Sequence, residues 1–202
     1  MRTLYVTGDP AKIDGAVDAI ASDGRAMVSE QPGFRGFGLF VDRELGKLLT
    51  GTWWEDEKSR NDSDEQLRER RAALLAPFAQ TVAVDNWEAA VVRPPQSVGP
   101  GARFRLVRME LDPADVDLLV DTFRDVALPR IDAMPGFLGG SLFVDRAKGR
   151  ASVGAIWSDR DALAASRSGV AAIRGEATAT ARVTTRSLEE FDVVFAGVNP
   201  PS

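Results

Sequence analysis

The clearest candidate for a ligand-binding surface is a set of alternating side chains in the first half of the chain. Thr50, Thr52 and Trp54 occupy every second position, and in a β-strand this spacing places their side chains on one face. An indole ring can stack against a flat ligand while the two hydroxyl groups hydrogen-bond its polar edge. Tyr5, the single tyrosine, lies in an earlier predicted strand and could add a phenol. This pattern predicts a site for a small, flat ligand.

The same spacing recurs in the second half, where Val153, Ala155 and Trp157 occupy the corresponding positions. Trp157 is a second candidate for ligand contact, although its neighbours offer no hydroxyl group. Large aromatic residues often fill a core without touching a ligand, and threonine is common in strands for local reasons. Core packing therefore stays open for both tryptophans. Because buried hydroxyl groups need partners, we expect any ligand site in the first half, beside Trp54.

Two further groups of polar residues have competing interpretations. Arg103, Arg105 and Arg108 lie in a predicted strand of the second half, and an arginine that faces a cavity could bind a phenolate or a carboxylate. Asp42 and Asp145 each precede a predicted hairpin turn. Aspartate commonly stabilises tight turns by accepting a backbone hydrogen bond, so we assign both aspartates to turns.

The residue types that are missing exclude several kinds of chemistry. The 202 residues include no His and no Cys, which removes histidine-dependent triads, thiol catalysis, disulfides and the usual ligands of zinc and haem. We therefore expect no metal and no cofactor. A net charge of −5 argues against nucleic acid as a partner. Without a signal-peptide pattern or an apolar run of ~20 residues, the sequence predicts a cytoplasmic protein with no membrane contact.

A shift of 103 residues, the distance from Pro32 to Pro135, aligns the two halves and indicates an internal duplication. The aligned segments are Asp9-Pro10 with Asp112-Pro113, Pro32-Gly33-Phe34 with Pro135-Gly136-Phe137, and Leu39-Phe40-Val41-Asp42-Arg43 with Leu142-Phe143-Val144-Asp145-Arg146. Residues 94–102, between the copies, are rich in Pro and Gly and favour a linker. We predict one domain over residues 1–93 and another over residues 103–202.

Each copy predicts the element order β-α-β-β-α-β, which is that of a ferredoxin-like domain. The strand through Phe37, Leu39 and Phe40 is apolar on both faces, so both faces of the sheet should be buried. We therefore predict an α+β protein whose two tandem ferredoxin-like halves form a dimeric α+β barrel within one chain. Such a chain would be a monomer with an internal pseudo-dimer, or a homodimer.

These motifs resemble those of the antibiotic biosynthesis monooxygenase (ABM) family, a family of dimeric α+β barrels. The resemblance rests on the Pro-Gly-Phe turn, the Gly-x-x-Leu-Phe strand, the hairpin and the tryptophan that ends it, and it covers both copies. It implies that Trp54 and Trp157 match the family tryptophan that lines the ligand cavity. Quinone-forming members carry an Asn four residues before that tryptophan, where this chain has Thr50 and Val153. Haem-degrading members use a His ligand, which this chain lacks, so the resemblance does not extend to haem degradation.

Two functions follow as hypotheses. The resemblance implies a protein that binds a small, flat, apolar ligand in the barrel, and its enzymatic form would be a cofactor-independent monooxygenase. The alternative is a non-catalytic binding or interaction module whose barrel is filled by its own side chains. The sequence assigns no catalytic residue.

Overall fold

The structure, a computed structural model, describes residues 1–198 and contains two compact units. The first unit consists of Met1–Asn86 and residues 193–198. The second unit consists of Trp87–Asp192. No helix within residues 1–198 is long and apolar enough to cross a membrane.

The first unit combines antiparallel strands with helices in the order β-α-β-β-α-β. Its strands are β1 (Arg2–Gly8), β2 (Phe34–Asp42), β3 (Lys47–Trp54) and β4 (Ala79–Asn86). Its helices are a 3₁₀ turn (Pro10–Lys12), α1 (Ile13–Ala19), a π turn (Ile20–Gly24), α2 (Arg25–Ser29) and α3 (Glu57–Leu75). The strand order β4-β1-β3-β2 is followed by the last part of β9 (Thr184–Val198). This is the strand order of a ferredoxin-like sheet with one strand added.

The second unit repeats this arrangement. Its strands are β5 (Glu88–Arg93), β6 (Arg103–Glu110), β7 (Phe137–Asp145), β8 (Arg150–Trp157) and the first part of β9. Its helices are a 3₁₀ turn (Pro113–Asp115), α4 (Val116–Thr122), a π turn (Phe123–Ala127), α5 (Leu128–Asp132), a 3₁₀ turn (Arg146–Lys148), α6 (Arg160–Ala165) and α7 (Arg167–Thr180). The order is β9-β6-β8-β7-β5. The predicted α+β class with tandem ferredoxin-like halves is confirmed, and the barrel stays a prediction.

The first helical segment of each unit begins at the Asp-Pro pair that the repeat aligns. Asp9 accepts a hydrogen bond from the backbone N–H of Ala11 at 3.0 Å, and Asp112 accepts one from Ala114 at 2.9 Å. Each bond satisfies a donor that the start of a helix leaves without an intrahelical partner. The proline that follows each aspartate has no N–H to satisfy and is favoured at this position.

The predicted assignment of Asp42 and Asp145 to hairpin turns is also confirmed. The Oδ1 atom of Asp42 accepts from the backbone N–H of Leu45 at 2.9 Å, and Asp145 accepts from Lys148 at 3.2 Å. These carboxylates organise the turns between β2 and β3 and between β7 and β8.

Helices cover one face of each sheet and enclose an apolar core there. The core of the first unit includes Leu4, Val6, Ile13, Val17, Leu39, Val41, Leu48 and Leu75. The core of the second unit includes Val107, Met109, Val116, Leu119, Leu142, Val144, Trp157 and Ile173.

The compact units differ from the predicted domains 1–93 and 103–202 at both ends. The last strand predicted for the first copy is divided at Trp87 into β4 and β5, and β5 pairs with β7 in the second unit. The end of β9, predicted for the second domain, lies in the first unit. A repeat in the sequence aligns the copies but does not show which sheet a terminal strand joins. Residues 94–102, the predicted linker, form no helix or strand in the described chain.

Candidate ligand-binding site

The first unit contains a cavity of about 60 Å³ between one face of its sheet and its helices. The sheet contributes Arg2, Leu4, Thr50, Thr52 and Trp54. The helices contribute Ile20, Met27, Val28, Ser63, Leu67, Arg71, Leu74 and Leu75. The lining is mostly apolar with a few polar groups, which is the usual composition of a small-molecule site.

Three of the predicted site residues meet in this cavity, on a different side of the sheet from the one predicted. Thr50, Thr52 and Trp54 share one face, as their alternation indicates. That face lies against Met27 of α2 and Leu67 of α3, so it is the face covered by the unit's own helices. The cavity therefore lies between the sheet and the helices of one unit, and a ligand site inside a barrel stays a prediction. Both faces of the strands are apolar, and the pattern therefore could not distinguish the helix-covered face from the opposite one.

Thr52 is hydrogen-bonded to the protein itself. Its Oγ1 accepts from the indole Nε1 of Trp54 at 3.0 Å and donates to the backbone carbonyl of Arg2 at 3.4 Å. The Trp54 ring also meets Phe34 edge to face, with ring centroids 5.9 Å apart and an interplanar angle of 78°. Thr52 therefore orients the aromatic wall of the cavity.

Tyr5 does not join the site. Leu4 and Val6, on either side of it, are buried under the helices and belong to the core of the first unit. Successive side chains of a strand point to opposite faces, so Tyr5 lies on the other face of β1. Tyr5 therefore does not line this cavity.

Arg2 is the most deeply buried charged residue of the cavity, and the sequence analysis missed it. It is only 6% exposed. Its Nε donates to Oδ1 of Asn86 at 3.1 Å, and its Nη1 donates to Oγ of Ser63 at 3.3 Å. Its Nη2 is buried and has no hydrogen-bond partner among the described residues. Burial lowers the pKa of Arg2 to about 10, and the nearby charge of Asp64 opposes this shift.

Asp64 links two arginines beside the cavity. One of its oxygens lies 2.7 Å from Nη1 of Arg71 and 3.5 Å from Nη1 of Arg2. Desolvation raises the pKa of Asp64, but the hydrogen bond from Arg71 and the charge of Arg2 outweigh it and hold the pKa below its usual value. Asp64 therefore stays ionised at neutral pH.

The second unit has a cavity of similar volume, about 60 Å³, with a different lining. It is lined by Val107, Met109, Leu119, Phe123, Ala127, Ile131, Val153, Val170, Ile173, Arg174, Ala177 and Thr178. Val153 replaces the hydroxyl that Thr50 supplies in the first unit. The sheet side of this second cavity is apolar, whereas the sheet side of the first cavity carries Arg2, Thr50 and Thr52.

Trp157 packs in the core of the second unit and does not line its cavity. Its side chain is completely buried and meets Phe137 edge to face, with ring centroids 5.5 Å apart. Its Nε1 is buried without a hydrogen-bond partner in the described chain. The repeat places Ala155 where Thr52 accepts the indole hydrogen bond in the first unit. The structure therefore places Trp157, a predicted ligand contact, as a core residue.

Arg105, one of the arginines considered for anion binding, is enclosed by protein partners. It is 3% exposed, and its Nη2 donates to Oε1 of Glu190 at 2.9 Å and to the carbonyl of Leu163 at 3.0 Å. Its Nη1 donates to Oγ of Ser166 at 3.1 Å. Burial lowers the pKa of Arg105, and Glu190 opposes this effect. Arg105 is therefore a structural residue of its unit.

The repeat itself could have pointed to Arg2, because the 103-residue shift aligns it with Arg105. The alternation of Arg2 with Leu4 and Val6 places its side chain on a buried face. A charged residue on such a face is rare without a partner. A charged residue at the same position of both copies, on a predicted buried face, could therefore have indicated Arg2.

Several proteins are similar to this chain over nearly its whole length. Two uncharacterized proteins of Mycobacterium tuberculosis are 28% and 22% identical to it, over 99% of this chain and 89% and 85% of their own lengths. No family model matches the chain.

Solved structures share its fold at low sequence identity. A candidate monooxygenase from Fusobacterium nucleatum has a TM-score of 0.75 at 10% identity, covering 98% of this chain and 93% of its own. An anthrone oxidase-like protein has a TM-score of 0.70 at 13% identity, covering 99% and 92%. A ferredoxin-fold protein related to antibiotic biosynthesis monooxygenases, from Listeria monocytogenes, has a TM-score of 0.50 at 9% identity, covering 98% and 94%. The chain shares the ferredoxin-like fold of these proteins, as its motifs predicted.

Proposed function

We propose that the protein binds a small ligand in the cavity of its first unit, against Trp54. The observation that carries this proposal is the convergence of Arg2, Thr50 and Thr52 on a cavity whose other walls are mostly apolar. Apolar walls with a few placed polar groups are typical of small-molecule sites. The corresponding cavity of the second unit lacks such groups on its sheet side, so the first unit is the better candidate.

The size of the cavity limits the ligand. Its volume of about 60 Å³ is less than half of the roughly 150 Å³ of an engineered cavity that binds benzene, and about twice the roughly 30 Å³ that a water molecule occupies in the liquid. The cavity in this conformation fits a group of carboxylate or carbonyl size. A flat ring requires a wall to move, and Met27 is the wall residue best suited to this because its side chain is unbranched and flexible.

The activity that we propose for this site is that of a cofactor-independent monooxygenase, as the names of similar structures support. Such an enzyme oxidises a substrate that forms a carbanion and reduces O₂ itself, so that a CH₂ group and O₂ yield a C=O group and water. The protein positions the substrate, excludes water and stabilises the anion. The guanidinium of Arg2 is suited to the last task. Asp64, with its lowered pKa, is a weak base, and we assign no catalytic residue.

A non-catalytic role describes the second unit better. Arg105 forms a salt bridge with Glu190, and Trp157 is packed into the core. Both observations favour a half that supports the structure and holds no ligand.

Two tryptophan variants test the location of the site. Native mass spectrometry of the purified protein identifies any copurified molecule, and planar phenol and quinone fragments serve as additional probes. Trp54→Ala should weaken binding because it removes the aromatic wall. The matched control, Trp157→Ala, should leave binding intact and lower stability by about 3–5 kcal/mol, the usual cost of truncating a buried aromatic residue. Loss of binding in Trp157→Ala with normal binding in Trp54→Ala contradicts the proposal.

A further inference from the structure

The two buried arginines at equivalent positions differ in how the protein neutralises them. Arg105 receives the carboxylate of Glu190, from the strand paired with its own. Arg2 pairs in register with Asn86, which offers a neutral amide oxygen to its Nε. The second unit thus supplies a negative charge within its sheet, and the first unit supplies none at that position.

The carboxylate nearest to Arg2 does not replace the missing charge. Asp64 lies 3.5 Å from Nη1 of Arg2, but its shorter contact, at 2.7 Å, is with Arg71. Arg2 and Arg71 both line the cavity, so two positive charges share one carboxylate. Glu190 is also shared, between Arg105 and Arg167. It lies 2.9 Å from Arg105, however, whereas Asp64 lies 3.5 Å from Arg2, so Arg2 is the less well neutralised of the two equivalent arginines.

The hydrogen-bond inventory of Arg2 agrees with this imbalance. All nitrogens of the Arg105 guanidinium have protein acceptors. Nη2 of Arg2 is buried without one in the part of the chain described. An unpaired donor on a buried charged group costs free energy that a ligand acceptor recovers. The observation therefore points to an acceptor supplied from outside the chain.

We propose that the cavity of the first unit recognises an anionic oxygen of its ligand through the guanidinium of Arg2. This proposal rests on the proposed function and specifies its substrate class: a small organic anion, either a carboxylate or an ionised enol or phenol. The volume of about 60 Å³ accommodates the anionic group, and Thr50 lies in the same cavity, where its hydroxyl can orient it. The rest of the ligand lies against Trp54.

The ionisation state of the surrounding groups supports this class of ligand. Burial is the main reason that the pKa of Arg2 is lowered to about 10; the charges of Arg71 and Arg60 act in the same direction, and the charge of Asp64 opposes them. Arg2 therefore remains charged at neutral pH, and a bound anion would relieve part of its desolvation. Asp64 is the carboxylate that faces Arg2, and its lowered pKa makes it a poor proton acceptor. The cavity is thus suited to a ligand that enters already ionised.

A pair of probes of the same shape tests the charge preference directly. Acetate and acetamide are titrated into the ¹⁵N-labelled full-length chain at constant ionic strength, and the indole N–H signal of Trp54 reports on the cavity through its bond to Thr52. Acetate should bind at least about tenfold more tightly than acetamide, since charge-assisted hydrogen bonds are roughly twice as strong as neutral ones. The chain is used without an N-terminal tag because Arg2 is its second residue.

An isosteric variant adds the missing charge without removing Arg2. Asn86→Asp places a carboxylate where the amide oxygen lies 3.1 Å from Nε, as Glu190 does for Arg105. It should lower acetate affinity about fivefold or more and leave acetamide affinity unchanged. Gln80→Glu is the matched control, since it adds the same charge to β4 about 20 Å along the strand at ~3.3 Å per residue. This control should bind acetate as the unmodified chain does.

The outcomes of these titrations distinguish a failure of anion recognition from a failure of the proposed ligand-binding function. If acetate and acetamide bind equally and Trp54→Ala weakens both, the cavity binds ligands and anion recognition is refuted. If acetate binding survives Asn86→Asp unchanged, Arg2 is not the anion-binding group. If neither probe shifts the Trp54 signal, anion recognition fails at this cavity, and the tryptophan variants decide the proposed function separately.

Discussion

At the scale of single residues, the equivalent tryptophans of the two units differ by one hydrogen bond. The Nε1 of Trp54 donates to Thr52, whereas Nε1 of Trp157 is buried without a partner in the described chain. The difference follows from Ala155, which occupies the position of Thr52 in the repeat and has no hydroxyl. A buried donor without an acceptor costs about 1–3 kcal/mol. The second unit therefore retains a local defect that one hydroxyl could correct.

We expect Ala155→Thr to stabilise the protein by about 1 kcal/mol, because the new hydroxyl accepts the indole hydrogen bond of Trp157. For a chain of this length that gain corresponds to a rise in Tm of roughly 2–4 °C. Thr52→Val is the reciprocal change and should destabilise by about 0.5–1.5 kcal/mol. Urea unfolding measures both. A further variant, Ala155→Val, adds similar volume without a hydroxyl, and equal stabilisation by Val and Thr would show that packing is the cause.

The sequence predicted which residues share a face but not what that face contacts. Alternation correctly grouped Thr50, Thr52 and Trp54. It could not show that helices cover this side, because the strands are apolar on both sides. Arg2 could not be singled out from the sequence because its unusual feature is its partner on the neighbouring strand. That partner is the amide of Asn86, where the equivalent arginine has a carboxylate. The pairing follows from strand register, which only the three-dimensional structure shows.

At the scale of elements, the hairpin turns depend on glycines that approach another strand closely. Gly149 has a φ of +57°, and a Cβ there would lie 2.1 Å from the carbonyl oxygen of Leu111. A hydrogen bond from the N–H of Leu111 to the carbonyl oxygen of Gly149, at 2.9 Å, also joins these two residues. Gly101 also has a positive φ, +85°, but nothing lies within 4 Å of the position of its Cβ. Substitution of Gly101 therefore tests the cost of a positive φ alone, and substitution of Gly149 tests that cost together with a steric contact.

We expect Gly101→Ala to cost about 1–2 kcal/mol, which is the usual penalty of left-handed backbone for a residue with a side chain. Gly149→Ala carries the same penalty and must also push β6 away from the turn, so its total cost should be roughly 3 kcal/mol or more. Chemical denaturation of both variants gives the difference. Equal costs would mean that the turn relaxes without disturbing Leu111.

Most elements could be predicted from local signals, because capping aspartates, Pro-Gly-Phe turns and apolar periodicity act over a few residues. The element that could not be predicted is the last strand of the first copy. Its pattern continues through Trp87, yet the chain separates there into β4, beside β1, and β5, beside β7. The choice of partner for each piece depends on the whole sheet.

At the scale of the whole molecule, each compact unit contains a strand from the far end of the other sequence copy. β5 is the last strand of the first copy but pairs with β7 in the second unit, where Val92 lies opposite Ser141. The end of β9 closes the second copy but belongs to the first unit. Val91 of β5 is buried in the core of the second unit. Segment 94–102 therefore connects the two sequence copies covalently, and the exchanged strands connect them noncovalently as well.

This organisation predicts the effect of cutting the linker. A protease site inserted between Ser97 and Val98 divides the chain into two pieces. The first piece carries β5, which belongs to the second unit, and the second piece carries the end of β9, which belongs to the first unit. We expect the cleaved pieces to elute together in size-exclusion chromatography and to unfold with a Tm close to that of the intact chain.

Val91→Asp should make the cleaved pieces separate, because it buries a charge where β5 joins the core of the second unit. Without cleavage the same variant should only lose stability, since the linker keeps its pieces at high effective concentration. Cleaved pieces of the unmodified chain that separate and remain folded would instead support independent domains at residues 1–93 and 103–202.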